Sequence, residues 1–346
     1  MPHLEQYLAC DAGGTNTTIA IVQRNRDVGL FEIVERFRLA TADLPSIEEG
    51  ITSVIPHPEK YNGVCITGAG PVFNRVCQMT NLPLRIDARA VEAAISVPTA
   101  VVNDFLGVSY GLPQLQIEAR QIAPLTFHSE APPTPHGTVR AAIGAGTGLG
   151  VGFLTSLGPG EYYAYPSEAG HSSSFAPYDD ISRELYRFVE HITGDVPGAE
   201  LFVSGQGLGN TLAFFQSQQM VPSDSPLATI PPDRNSGAAI SEAARAGDRA
   251  AQEIMNLFVR NYAVAAATAA LHFLPFQGLF LAGGIVTKNH AFFEQDDQFM
   301  NAFARNYTGD VAELLRKIPI YMVLDYEVSL YGGAYIAAHN LYMEDN

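Results

Sequence analysis

Two neighbouring polar residues in this chain could do acid–base chemistry on a hydroxyl group. Asn103 and Asp104 follow the apolar run 97–102, so an amide and a carboxylate stand together where a strand is predicted to end. Such a pair can hold a hydroxyl and take its proton. The alternative interpretation is that one of the two only caps the helix predicted over residues 105–112.

A second polar group consists of Glu168, His171 and Glu200, which stand in loop-prone sequence. A carboxylate can accept two neighbouring hydroxyl groups at once, and an imidazole can donate or accept, so this set favours binding of a sugar. A metal site fits less well, because no further His or Cys stands at ligand spacing and HExxH is absent. For His171 the alternative is a purely structural histidine.

Two glycine turns between predicted strands are typical of phosphate binding. Asp11 to Thr15 reads Asp-Ala-Gly-Gly-Thr within the predicted hairpin 7–22, and Gly146, Thr147 and Gly148 repeat the pattern within residues 141–153. Glycines permit positive φ and let backbone N–H groups approach an anion. Because Asp11 would repel bare phosphate, the first turn indicates a magnesium–nucleotide complex.

A third glycine pair, Gly283-Gly284, follows the predicted strand 278–282 and could let an adenosine lie against the backbone. Each glycine turn has a plainer interpretation: an ordinary hairpin, close packing of a sheet against a helix, or a strand-to-helix turn. The alternating glycines do not match GxGxxG, and no lysine follows a glycine, which excludes a P-loop.

The composition narrows the class of protein further. A chain of 346 residues is long enough for two domains. A net charge of −16 argues against nucleic-acid and anionic-membrane partners. Three cysteines without a CxxC pair predict reduced, unligated thiols, and no apolar run is expected to span a bilayer. The expected location is cytoplasmic, since no leader segment is recognised.

The pattern of apolar residues predicts an α/β protein. Strands are expected over 30–39, 63–67, 139–143 and 318–324, and helices over 47–54 and 329–341. Residues 241–273 are predicted to form one long helix. The proline-rich stretch 128–137 predicts a surface loop, with a new domain beginning near it.

Seven segments, taken in order, resemble the bacterial-type ATP-dependent glucokinase family across almost the whole chain. They are CDAGGTNTTIAIV, VVNDFLGVSYGL, AAIGAGTGLGVGFL, YPSEAGHSSSFAPYD, AELFVSGQGLGN, GLFLAGGIVTKN and SLYGGAYIAAH. The resemblance implies a two-lobed actin-like ATPase (ribonuclease H-like) fold, each lobe with a mixed five-stranded sheet and the active-site cleft between the lobes. The implied small lobe is 1–114 plus 327–346, and the large lobe is 115–326.

The resemblance also implies a role for each matched residue. Asp104 is the base for the glucose 6-hydroxyl, and Asn103, Asp104, Glu168, His171 and Glu200 bind the sugar. ATP is bound by two phosphate loops and an adenosine segment, and Mg²⁺ is held by Asp11 through water. The matched nucleotide residues are Asp11, Gly13, Gly14, Thr15, Asn16, Gly146, Thr147, Gly148, Gly283 and Gly284. A homodimer is implied as well.

Departures from the family pattern leave other functions open. Ser167, Ala169 and Gln206 replace smaller or different residues beside the sugar ligands, and the tryptophan expected downstream of Thr80-Asn81 is missing. Mannose, glucosamine or another hexose is therefore an alternative substrate. The remaining alternatives are an inactive sugar-sensing protein of the same fold and an actin-like filament or chaperone ATPase.

Overall fold

The computed structural model of the protein describes residues 3–80, 82–165, 167–173 and 175–339, so Asn81, Pro166, Ser174 and the end of the predicted last helix lie outside the described residues. The strands are β1 Leu4–Ala12, β2 Asn16–Asn25, β3 Leu30–Ala40, β4 Val64–Gly68, β5 Val72–Phe73, β6 Val76–Gln78, β7 Arg85–Asp87, β8 Thr99–Asn103, β9 Ile122–Leu125, β10 Val139–Ala145, β11 Leu149–Gly158, β12 Glu161–Tyr165, β13 Leu279–Ala282 and β14 Ile320–Val323. The helices are α1 Ile47–Val54, α2 Ala88–Ile95, α3 Asp104–Gly111, α4 Asp180–Thr193, α5 Gly205–Ser217, α6 Gly237–Arg245, α7 Arg249–Phe273, α8 Gly284–Glu294, α9 Gln298–Phe303, α10 Gly309–Arg316 and α11 Val328–Ala338.

The chain forms two compact units. The first unit contains Met1–Gln116, Leu154–Pro166 and Glu327–Asn346, and the second contains Ile117–Phe153 and Ser167–Tyr326. The division differs from the predicted one at residues 115–116 and, more extensively, at residues 154–166, which were expected in the large lobe. Residues 154–166 belong to the first unit because the Tyr162 N–H donates to the Tyr335 hydroxyl, which donates in turn to the Gly160 carbonyl.

The first unit contains a mixed five-stranded sheet in the order β3-β2-β1-β4-β8. β2 pairs antiparallel with β1 and β3, while β1, β4 and β8 run parallel to one another. Asp11 is aligned with Thr67, and Gly68 with Asn103, so all three parallel strands end at one edge of the sheet. This edge is where α/β sheets place their ligands.

The larger sheet has six strands in the order β12-β11-β10-β13-β14-β9, so the expectation of five is wrong here. The sequence predicted neither β12 nor β9 of this sheet. β9 pairs antiparallel with β14 at the edge of the sheet. It has only four residues and includes Pro124, which cannot donate a ladder hydrogen bond and therefore suits an edge. A small antiparallel sheet, β5-β6-β7, lies between β4 and α2 in the sequence.

Residues 241–273 do not form the single helix that was predicted. The chain turns at Gly247, whose φ is +94°, and α7 starts afresh with Asp248 as its N-cap, accepting from the Ala251 N–H at 2.8 Å. α7 is the one helix of the described residues that is long and apolar enough to cross a membrane by length and composition. Its most apolar window is 72% buried inside the protein, which is typical of a core helix.

Helices α3 and α11 of the first unit touch backbone to backbone. A methyl group on Gly332 would overlap the carbonyl oxygen of Gly107, and one on Gly111 would overlap that of Val328. Glycine is therefore required at this crossing for space rather than for conformation. The contact fixes α11 against the helix that begins with Asp104.

Candidate active site

The first glycine turn joins β1 to β2 at the ligand edge of the five-stranded sheet. The Gly13 N–H donates to the Asn16 carbonyl at 3.0 Å, and the Thr41 hydroxyl donates to the Gly13 carbonyl at 2.8 Å. Neither Gly13 nor Gly14 has a positive φ, so the conformational reason expected for these glycines is wrong. Gly14 and Thr15 are exposed, and a methyl on Gly14 would meet nothing within 4 Å. The turn therefore leaves its backbone open to a ligand.

Asp11 lies beneath this turn with a hydroxyl donor on each carboxylate oxygen. Oδ1 accepts from Thr67 at 3.1 Å, and Oδ2 accepts from Ser329, in the first turn of α11, at 2.8 Å. Burial raises the pKa of Asp11 above its ordinary value, and the two hydroxyl groups counteract part of that rise. A nearby cation would favour the charged carboxylate. Sequence reasoning missed Thr67 and Ser329, whose only signal was a polar residue at a strand end and at a helix start.

Replacing Asp11 with asparagine is expected to raise the melting temperature by a few degrees at pH 8. Because folding raises the pKa of Asp11, its contribution to stability is present at low pH and is lost as the pH rises through that folded value. Asparagine carries no charge and escapes this loss. The advantage of Asp11→Asn should thus shrink from pH 8 to pH 5, measured by thermal unfolding in EDTA.

The exposed Asp43, in the same unit, provides the control for this comparison. Asp43→Asn should give a much smaller change that varies little with pH. If the rise in melting temperature of Asp11→Asn were constant with pH, or grew toward acid pH, burial of the charged Asp11 carboxylate could not be its cause.

Asn103 and Asp104 stand at the junction of β8 and α3. Asn103 is the N-cap of α3: its Oδ1 accepts from the Phe105 N–H at 2.8 Å, and its Nδ2 donates to the Gly70 carbonyl at 3.2 Å. Asp104 is half-buried, and its Oδ1 also accepts from the Phe105 N–H at 2.8 Å. The helix cap is therefore real, and it holds both side chains in fixed positions at the sheet edge.

The second glycine turn joins β10 to β11, as the sequence predicted. The Gly146 N–H donates to the Gly148 carbonyl at 2.9 Å, and the Gly205 N–H, at the start of α5, donates to the Gly146 carbonyl at 2.8 Å. Thr147 is exposed at the tip, and a methyl on Gly146 would meet nothing within 4 Å. An anion can therefore reach the backbone of this turn.

Glu168, His171 and Glu200 lie together in the second unit. Glu168 precedes the short 3-10 turn Ala169–His171, and Glu200 lies inside the turn Ala199–Leu201. His171 lies between the two acids, with Nδ1 3.3 Å from Oε2 of Glu168 and Nε2 3.9 Å from Oε1 of Glu200. Within the described part of the chain, no group of three or more His, Cys, Asp or Glu residues is arranged to hold a metal. Carboxylates accept hydrogen bonds and an imidazole can donate or accept them, so these three side chains are able to bind hydroxyl groups.

Gln206 does not stand free beside these acids. Its side-chain amide donates to Asn210 Oδ1 at 2.9 Å, and Asn210 donates to the Leu201 carbonyl at 2.9 Å. Ser167 likewise has a local role, since its hydroxyl accepts from the Ala169 N–H at 3.1 Å. Ser167 and Gln206, which differ from the family pattern, thus stabilise the turns that carry Glu168 and Glu200.

Gly283 has a clear packing role at the end of β13. Its φ is +94°, and a methyl group there would overlap the carbonyl oxygen of Ala145, the last residue of β10. Gly284 begins α8. Gly283 and Gly284 therefore form a turn from a strand to a helix, which was the plainer of the two interpretations. Contact of this pair with an adenosine stays a prediction.

Comparison with solved structures identifies the class of fold. The crystal structure of a glucokinase from an Antarctic psychrotroph is similar, with a TM-score of 0.79 and 23% identity over 97% of this chain and 99% of that chain. A ROK family glucokinase from Streptomyces griseus, in complex with glucose and AMPPNP, is similar with a TM-score of 0.61 and 18% identity over 96% of this chain and 99% of that chain. The chain therefore has a mixed α/β fold shared with sugar kinases.

Sequence comparison identifies the family. The family model described as Glucokinase matches residues 8–340. A glucokinase of Nostoc punctiforme is 32% identical over 96% of this chain and 98% of its own length. The chain belongs to the glucokinase family.

Proposed function

We propose that this protein is a glucokinase that transfers the γ-phosphoryl group of ATP to the 6-hydroxyl of glucose. Membership of the family supports an ATP-dependent hexose kinase, a transferase. The observation that carries the proposal is the placement of Glu168, His171 and Glu200 together, with Glu200 in contact with the residue that follows the second glycine turn. Hydroxyl-binding groups beside an anion-binding turn suit phosphoryl transfer to a sugar.

Asp104 is the proposed general base. Its carboxylate accepts the proton of the sugar hydroxyl as the oxygen–phosphorus bond forms and ADP leaves. The Phe105 N–H holds one carboxylate oxygen, and the Gly70 carbonyl orients the neighbouring Asn103 amide. Asn103 is proposed to hold a sugar hydroxyl in place. The two-lobed arrangement implied by the resemblance, in which both units supply sugar ligands, is part of this proposal.

The nucleotide is proposed to bind through the two glycine turns. Backbone N–H groups of Gly14 to Asn16 and of Thr147 and Gly148 are proposed as donors to phosphate oxygens, while the Gly13 and Gly146 N–H groups close their own turns. Gly283-Gly284 is proposed to contact the adenosine. Asp11 fits Mg²⁺ through water, because both of its oxygens already accept hydroxyl groups and Mg²⁺ in nucleotide sites takes few carboxylates. When bound, the ion would neutralise charge on the phosphates.

Glucose is the proposed sugar because the residues that differ from the family pattern are held by local contacts. Gln206 is bound to Asn210, and Ser167 to the Ala169 N–H. We therefore expect kcat/KM for glucose to exceed that for mannose or glucosamine by about tenfold or more, in the range that a few contacts supply. A coupled assay of ADP release over this panel measures the ratio.

The same assay separates the alternatives. A preference for another hexose would contradict glucose, and the absence of sugar-dependent ADP release would contradict a kinase. ATP hydrolysis that is independent of sugar would favour an actin-like ATPase. A cytoplasmic location and a homodimer stay predictions, which fractionation and light scattering test.

A further inference from the structure

The two carboxylate oxygens of Glu200 have different surroundings. Oε1 lies 3.9 Å from Nε2 of His171, on the side of the hydroxyl-binding residues. Oε2 accepts a hydrogen bond from the Leu149 N–H at 2.8 Å. Leu149 is the first residue of β11 and directly follows Gly148 of the second glycine turn. One side chain therefore contacts both the hydroxyl-binding group and the anion-binding turn.

The backbone of Leu149 is closely packed by its neighbours. A methyl group on Gly148 would lie 2.5 Å from Oε2 of Glu200. A methyl group on Gly170, inside the turn that carries His171, would overlap the carbonyl oxygen of Leu149. The second glycine turn and the turn at Gly170 thus meet at Leu149, which is buried.

The second glycine turn is held at both of its ends. The Gly205 N–H fixes its start by donating to the Gly146 carbonyl at 2.8 Å. Glu200 fixes its end through the Leu149 N–H, and the Ser204 hydroxyl donates to the Glu200 carbonyl at 2.6 Å. The position of Glu200 is itself set by the residues just before α5.

We propose that Glu200 positions the second glycine turn for the nucleotide phosphates, in addition to its proposed contact with the sugar. This inference rests on the proposed function and deepens it. Nucleotide affinity then depends on the Oε2 acceptor of Glu200 even when no sugar is present.

The test compares two substitutions of nearly equal size, Glu200→Met and Glu200→Gln. Binding of AMPPNP with Mg²⁺ is measured by calorimetry without sugar. Methionine leaves the buried Leu149 N–H without an acceptor, so nucleotide affinity should fall at least about fivefold. The glutamine oxygen can still accept, so Glu200→Gln should remain within about twofold of the wild type. Glu184→Gln, at an exposed acid of α4 in the same unit that has no proposed role, is the matched control and should bind nucleotide normally.

Nucleotide affinity equal to wild type in a folded Glu200→Met would overturn the inference. If circular dichroism shows that Glu200→Met does not fold, Glu200→Asp takes its place. The shorter aspartate side chain cannot reach the Leu149 N–H at the same distance. Normal nucleotide affinity in Glu200→Asp would also overturn the inference. Loss of nucleotide affinity in Glu200→Met, together with a wild type that phosphorylates no sugar, would support the inference and overturn the proposed function.

Discussion

Asp104→Asn should lower kcat for sugar phosphorylation by about a thousandfold, within the range that a general base contributes. The asparagine oxygen can still accept from the Phe105 N–H, so the start of α3 should keep its structure. What is lost is the carboxylate that takes the hydroxyl proton. Binding of AMPPNP should be unchanged, because Asp104 is assigned to the sugar side. Steady-state kinetics and calorimetry measure the two quantities.

Asp87→Asn provides the matched control for this substitution. Asp87 is also a carboxylate that caps a helix of the first unit, accepting from the Arg89 N–H at 3.1 Å at the start of α2. It has no proposed role in the reaction, so kcat should stay within about twofold of wild type. If Asp104→Asn kept kcat within about threefold, Asp104 could not be the base.

The second large effect is expected on stability, at the crossing of α3 and α11. Gly332→Ala places a methyl group where it overlaps the Gly107 carbonyl oxygen and approaches the Gly111 nitrogen to 2.7 Å. The two helices would have to separate, and overpacking of this kind costs about 3 kcal/mol. The melting temperature, followed by circular dichroism because the chain has no tryptophan, should fall by about 6 °C or more.

The neighbouring Gly333→Ala is the matched control. A methyl group there would lie 3.4 Å from Ala9 Cβ and 3.7 Å from Cys65 Cβ, which is ordinary contact. Alanine is also the better helix former by about 0.5–1 kcal/mol, so this variant should be as stable as wild type or more stable. Equal stability of Gly332→Ala and Gly333→Ala would show that α3 and α11 can move apart without cost.

Local patterns in the sequence were sufficient for the elements that carry the site. The helix predicted over 47–54 is α1, and the polar residues after the strand 97–102 do stand at a junction of strand and helix. Both glycine turns join neighbouring strands of a sheet, and the two strands of the first turn are antiparallel. These features depend on the spacing of nearby residues, which a single sequence displays directly.

Contacts between distant residues could not be predicted in the same way. Ser329 lies 318 positions from Asp11, and no periodicity reveals that its hydroxyl reaches that carboxylate. The hydrogen bond from Leu149 to Glu200 spans 51 positions and uses a backbone N–H, which every residue except proline possesses. The break at Gly247 was missed because a lone glycine in a helical pattern is often tolerated.

The most direct test of the proposed function is the product of the reaction. Phosphorus NMR of a mixture of this protein, Mg²⁺, ATP and glucose should show ADP and glucose 6-phosphate forming in equal amounts, and Asp104→Asn should nearly abolish both. ADP appearing with inorganic phosphate alone, or a phosphoryl group on another hydroxyl, would contradict the assignment of this chain as a glucokinase.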